Sequence, residues 1–185
     1  MLQNILIDIS KRYNIPKDEL FERYIESNDK KTIEIFTDGS FKKKNGIGKA
    51  GIGIFFGDND PRNVSKLLDI DNPSNNKAEL TAIKTALKIT KNDNIPCIIY
   101  SDSEYSINSV TKWYKNWIKN DWKTSTGKDV KNIKIIKSII KYLDGRQVEF
   151  IHVRSHTNEP SNKNTRKYFE WYGNDQADHL AQKII

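Results

Sequence analysis

The alternation of apolar and polar positions divides the chain into a short helical stretch and a longer region that begins with strands. In Met1–Lys31, Leu2, Ile5, Leu6 and Ile9 follow helical spacing, and Pro16 restarts a second run through Leu20, Phe21, Tyr24 and Ile25. Two short helices and a linker, Ser27 to Lys31, are expected there, as a packed extension or a contact for a partner or nucleic acid. From Thr32 the period changes. Ile33, Ile35 and Thr37 alternate with Glu34 and Phe36, Lys49 to Phe56 is Gly-rich and β-branched, and Asn63 to Ile70 reads as a third strand. The basic loop Lys42 to Lys49 is expected to join the first two as a hairpin. Beyond it the pattern predicts a helix from Asn75 to about Thr90, a buried strand from Pro96 to Tyr100, and a helix from Ser103 to about Lys119. A helix over Asn132 to Leu143, a strand from Gln147 to Val153 and a last helix from about Asn174 to Ile185 complete the order. The expectation is an α/β fold: a five-stranded mixed sheet flanked by helices over residues 32–185, with a helical extension over 1–31.

Composition narrows this picture only slightly. The 185 residues are 36% hydrophobic and 30% charged, with a net charge of +7, which favours a polyanionic partner. Solvated lysines explain the same excess equally well. The lone cysteine, Cys97, lies in an apolar run and is expected to be a buried thiol in a reducing compartment. No stretch is long and apolar enough to span a bilayer, and the first residues lack a secretion signal. An intracellular setting, cytoplasmic or nuclear, and a monomer without membrane contact are expected.

Carboxylates at positions where a core residue belongs carry the chemistry. Asp38 is read as ending the first strand and Asp102 the apolar strand Cys97–Ser101, where ligands bind open α/β sheets. Glu79 shares a helical stripe with Ala82, Ile83 and Ala86, costly unless a cation or donors satisfy it, although a first-turn glutamate can also escape to solvent. In the last helix Asp178 lies at the edge of the face formed by Ala177, Leu180, Ala181 and Ile184. Asp175 points away from that face and is explained as a first-turn acid. Converging carboxylates without a cysteine or histidine cluster select hard cations, Mg²⁺ or Mn²⁺. A pair of such ions suits in-line phosphoryl displacement.

Thr37-Asp38-Gly39-Ser40, Ser74-Asn75-Asn76-Lys77-Ala78-Glu79-Leu80, Tyr100-Ser101-Asp102-Ser103 and Asn174-x-x-Ala177-Asp178-x-Leu180-Ala181, in that order, resemble the type 1 ribonuclease H family from about Thr32 to the C-terminus. The resemblance implies a two-ion site held by Asp38, Glu79, Asp102 and Asp178. It implies cleavage of the RNA strand of an RNA–DNA hybrid, leaving a 3′-hydroxyl and a 5′-phosphate. His156 matches the family's mobile histidine, with a part in proton transfer or product release, whereas His152 and His179 read as structural. Thr157 to Tyr172 departs from the family as a longer loop, whose Lys163, Arg166 and Lys167 beside Tyr168, Phe169, Trp171 and Tyr172 either clamp a strand or form a cap.

Lys112 to Lys137 holds eight lysines against two acids, interleaved with tryptophans, and resembles the family's basic handle. By that resemblance Trp113 and Trp117, with Tyr105 nearby, line a channel for the DNA strand. Lys123 belongs to the handle, and Thr124, Ser125 and Asn132 hold a DNA phosphate. Asn75 and Asn76 match minor-groove residues, with Asn45 in a similar part, and Ser74 joins the phosphate pocket. Asp71-Asn72-Pro73 stands where some members carry a basic residue. Two other classes remain open: a binding module that keeps the fold without catalysis, and a transposase- or integrase-type catalytic domain.

Overall fold

The computed structural model describes residues 32–155 and 157–185. The expected N-terminal helices and His156 lie outside them. Ile33–Ile185 forms one compact unit. Its strands are β1 (Ile33–Lys44), β2 (Ile47–Phe55), β3 (Val64–Leu68), β4 (Cys97–Ser101) and β5 (Val148–His152). They form one five-stranded sheet in the order β3-β2-β1-β4-β5. The first three are antiparallel neighbours, and β4 and β5 add in parallel on the other side of β1. The mixed sheet read from the sequence is the one observed.

Two expectations about the first hairpin are corrected. β1 does not end at Asp38 but runs on to Lys44, paired throughout with β2. Its parallel pairing with β4 stops at Phe36 opposite Tyr100, so Asp38 lies just past the point where two neighbours separate. The hairpin connection is also only Asn45-Gly46. Both residues have left-handed φ values, 51° and 80°, as in a type I′ turn, and the lysines expected in the loop lie on the strands.

α1 (Asn75–Ile89) is started by Ser74, whose hydroxyl accepts from the Lys77 amide at 3.4 Å. Arg146 closes its other end, donating to the carbonyls of Leu87 at 3.0 Å and Thr90 at 2.9 Å. The predicted helix after Asp102 is interrupted: α2 (Glu104–Asn108) passes through a π-helical turn, Ser109–Trp113, into α3 (Tyr114–Lys119). α4 (Ile133–Leu143) follows, and α5 (Arg166–Gln182) ends the fold. α5 starts at Arg166 rather than near Asn174, because Thr165 caps it, its hydroxyl accepting from the Tyr168 amide at 3.2 Å. The expected long loop to Tyr172 is therefore in part helix. Asp175 is mid-helix, not in a first turn, so the dipole explanation given for it does not hold.

Sheet alternation sorts two cores. Ile35, Ile52, Ile54 and Ile99 pack with Ala82, Ile83, Ala86 and Leu87 of α1 and Ile136 and Ile139 of α4. Phe36, Phe55 and Tyr100 pack on the opposite face with Val153 and Ala177. Burial of the larger of these side chains, at roughly 1.5–3 kcal/mol each, supplies the main drive for the layering. Cys97 is buried and free, as expected. Among the described residues, no helix is long and apolar enough to cross a membrane.

Candidate active site

The site forms where helices from both faces of the sheet approach the middle of β1. Gly39 faces α1, and any Cβ there would collide with the backbone of Ala78 and Glu79. Gly53, the β2 partner of Asp38, faces the other way, and a Cβ there would strike the Ala177 carbonyl of α5. Two missing side chains thus let α1 bring Glu79, and α5 bring Asp178, close to Asp38. β4, beside β1, delivers Asp102 at its end.

Asp38, Glu79 and Asp102 each present a carboxylate oxygen within 4.8 Å of the others. Asp38 and Glu79 are buried, at 6% and 3% exposure, and Asp102 is half-buried. Burial, then the charges of Asp102 and Asp178, pushes the Asp38 carboxyl up from 3.8 to about 7. Glu79 is also raised well above its ordinary value, by burial first and by Asp38 and Asp102 next. Glu79 Oε2 is buried with no hydrogen-bond partner. The carboxyl accepts a long bond at Oε1 from the Asn75 amide, 3.4 Å, and one from the Gly39 backbone N–H. Mutually repelling, desolvated carboxylates, one with a buried oxygen whose lone pairs meet no donor, fit a hard divalent cation, which would neutralise them and accept those lone pairs.

Asp178 borders this trio rather than joining it. Its carboxyl is within hydrogen-bonding reach of Asp38, while its Oδ1 accepts from Gln182 Nε2 at 2.5 Å. His152 ends β5, exposed, with Nε2 3.1 Å from the Asp102 carbonyl oxygen, in keeping with a structural part. His179 is exposed on α5 and pairs with Asp175 at 3.3 Å.

The residues expected to hold nucleic acid form separate groups. Tyr105, Trp113, Trp117 and Trp122 make a chain of rings with successive centroids 6.0, 5.9 and 6.5 Å apart. Trp113 is exposed, and Asn132 donates to the Tyr105 hydroxyl at 3.2 Å, which joins two of the expected residues. Thr124 and Ser125 lie in a turn in which the Thr124 hydroxyl accepts from the Lys128 amide at 3.2 Å. Lys123 is paired with Asp129 at 2.5 Å, on the surface. At the start of α1, Asn75 and Asn76 are exposed, and the Ser74 hydroxyl serves as the helix cap. Asn45 is at the exposed tip of the first hairpin.

The sequence reading gave no role to Arg154, which lines the cavities beside the carboxylates together with Trp171 and, in the larger one, Lys167, two residues it had named as part of a clamp or cap. Arg154 was legible only as a cation directly after an apolar strand.

The fold is a mixed sheet with clustered carboxylates at the junction of its parallel and antiparallel halves. The family model for RNase H matches residues 30–185. The chain is 38% identical to a ribonuclease H of Schizosaccharomyces pombe over 182 residues, 95% of this chain and 62% of that one. It is 35% identical to the ribonuclease H of Hahella chejuensis, covering 72% of this chain and 87% of that one. Among solved structures, the PFV RNase H domain superposes with a TM-score of 0.62 at 26% identity, covering 81% of this chain and 92% of that one. The chain belongs to the RNase H family. It spans 62% of the length of the S. pombe relative and 49% of the human ribonuclease H1 it matches.

Proposed function

We propose that this chain is an endonuclease that hydrolyses the RNA strand of RNA–DNA hybrids, leaving 3′-hydroxyl and 5′-phosphate ends. One observation carries the reading: three carboxylates with oxygens within 4.8 Å of each other, two of them buried. The family relatives named ribonuclease H support it. Asp38, Glu79, Asp102 and Asp178 would hold two Mg²⁺ ions, with Mn²⁺ able to substitute, because an all-oxygen set without cysteine suits hard cations. When bound, such ions lower the pKa of a water and neutralise charge on the phosphate and the leaving oxygen.

The chain's own residues prepare that chemistry. Asp38 and Glu79 present their oxygens from a dry setting, where electrostatic interactions are stronger than in water. Asp102 is steadied through its backbone, by the His152 ring on its carbonyl and by the Ser103 amide donating to Ser101 Oγ at 3.1 Å. His156 is assigned to proton transfer or product release by its match to the family motif. Trp113 and Trp117, with Tyr105, would line the DNA strand's channel, and Thr124, Ser125 and Asn132 would hold its phosphate. Asn75 and Asn76, and Asn45 further off, would read the minor groove, where a 2′-hydroxyl separates RNA from DNA.

The test is a cleavage assay with labelled RNA–DNA hybrid, duplex RNA and duplex DNA in Mg²⁺. Only the RNA of the hybrid should be cut, and Asp102→Asn should abolish cutting while the protein stays folded. Equal activity of wild type and Asp102→Asn would refute the assignment.

A further inference from the structure

The segment that departs from the family builds a second cavity beside the carboxylates. A small pocket of about 70 Å³ is lined by Asp102, Asp178, Asn174, Arg154 and Trp171. A trough of about 500 Å³ adjoins it, sharing Arg154, Thr157 and Trp171 and adding Lys167 and Asn158. That volume lies in the range, about 300–1,000 Å³, in which small-molecule-sized ligands are held. The two spaces lie side by side, one at the Asp102 end of the site and the other along the 157–160 loop and the first turns of α5.

Charges around the two spaces are arranged unevenly. Their acids are engaged: Glu170 pairs with Arg166 at 3.3 Å, Asp175 with His179 at 3.3 Å, and Asp178 accepts from Gln182. Their cations are not. Among the described residues, neither Arg154 nor Lys167 has an ion pair or hydrogen bond, and both side chains are exposed. The rest of the insert accounts for its own packing. Arg166 bonds Glu34 at 2.6 Å and lies over the rings of Phe169 and Tyr100, and Tyr172 donates to Asp58 at 2.8 Å. Trp171 is locked in the wall, its Nε1 donating to the Thr157 carbonyl at 2.9 Å. The Asn174 Oδ1, in a side chain 7% exposed, has no partner and belongs to a residue lining the inner pocket.

We propose that this trough is an added subsite for the cut strand, taking a nucleotide that flanks the cleaved bond, with Arg154 and Lys167 on its phosphate and Trp171 and Pro160 as the wall for its sugar and base. The occupant is assigned to the cut strand because the trough shares Arg154, Thr157 and Trp171 with the smaller pocket that Asp102 and Asp178 line, and only the strand being cut has to reach those acids. A fork of guanidinium donors matches phosphate geometry, and a neighbouring ammonium adds charge. The inference rests on the proposed hybrid substrate.

Binding in EDTA tests the subsite without relying on turnover. The RNA strand of a labelled hybrid is shortened stepwise from its 5′ end in one series and its 3′ end in another, and affinity is read by fluorescence anisotropy across a salt series. Wild type should lose affinity several-fold at one step on one flank. R154A/K167A should bind the longer hybrids with a salt slope smaller by about 1 for each residue removed and show no such step. K88A/K91A, which removes the same charge at the far end of α1, should keep the step. An undiminished step in R154A/K167A, or its equal loss in K88A/K91A, overturns the subsite. Failure of wild type to cut any hybrid in Mg²⁺ would refute the nuclease reading instead, and the binding series would still decide the trough.

Discussion

Asp38→Asn should make the metal-free protein more stable, and the gain should grow with pH. In the folded chain burial and the charges of Asp102 and Asp178 hold the Asp38 carboxyl at about 7, against 3.8 ordinarily. Between these values the folded state keeps a proton that the unfolded chain has released. Stability therefore falls as pH rises from about 4 to about 7 and levels off above that. At about 1.4 kcal/mol for each tenfold change in proton affinity, full ionisation costs the fold about 4 kcal/mol at pH 8 and under about 1 kcal/mol at pH 4. Asparagine keeps the shape and can still accept from the Gly39 amide, so it removes the charge with little change in packing. Relaxation of the neighbouring acids and water entry reduce the recoverable part to about 2–4 kcal/mol. For a unit of this size that is roughly 5–12 °C in Tm. Urea denaturation in EDTA at pH 4.5 and pH 8 reads both points. A variant less stable than wild type at pH 8, or a difference that does not change with pH, would refute the account of the site as a repulsive, desolvated cluster.

Other outcomes follow from named contacts. Mg²⁺ added at pH 7.5 should raise the Tm of wild type and leave that of Glu79→Gln nearly unchanged, as differential scanning fluorimetry would show. Gly39→Ala should destabilise by about 3 kcal/mol or more, because the obstructing atoms are backbone of α1, and should lose cleavage with it; thermal melts and the hybrid assay check both. Arg146→Ala should lose about 2 kcal/mol in a denaturant melt, since it removes the donors that close the C-terminal end of α1, while cleavage per folded molecule stays the same. Trp113→Ala should raise the KM for hybrid several-fold with kcat nearly unchanged, in steady-state kinetics.

The element order was legible because the period of apolar residues changes cleanly from alternation in Ile33–Thr37 to a helical stripe through Glu79, Ala82, Ile83 and Ala86. Three of the four acids were legible as a group because each interrupts a pattern that predicts burial. The boundary errors have physical causes. Asn45-Gly46 is a strong two-residue hairpin signal, but the lysines around it made the strand ends read as a polar loop. The start of α5 was hidden by Gly173, which reads as a break but sits inside the helix, where the Phe36 ring takes the space a Cβ would need and so requires glycine. The π turn after Asn108 leaves no mark in the spacing of Trp113 and Trp117. Arg154 was missed, and the place of Lys167 beside it was not legible, because the trough exists only in three dimensions, between a strand end and a helix start.

What the sequence could not supply was the distance between its acids, and here the backbone decides. A strand order that places β4 beside β1 brings Asp102 to the neighbourhood of Asp38, but it leaves Glu79 and Asp178 a side-chain diameter away on either face. Gly39 and Gly53 remove that diameter, one on each side of the sheet. The close approach has a consequence for stability as well as geometry: it drives like charges together in a place water hardly reaches, so the site opposes the fold that makes it. The apolar packing of α1 and α5 must outweigh that repulsion when no cation is bound. A site of this kind gains stability from the ion it binds, because neutralising the cluster removes the main electrostatic cost of the folded state.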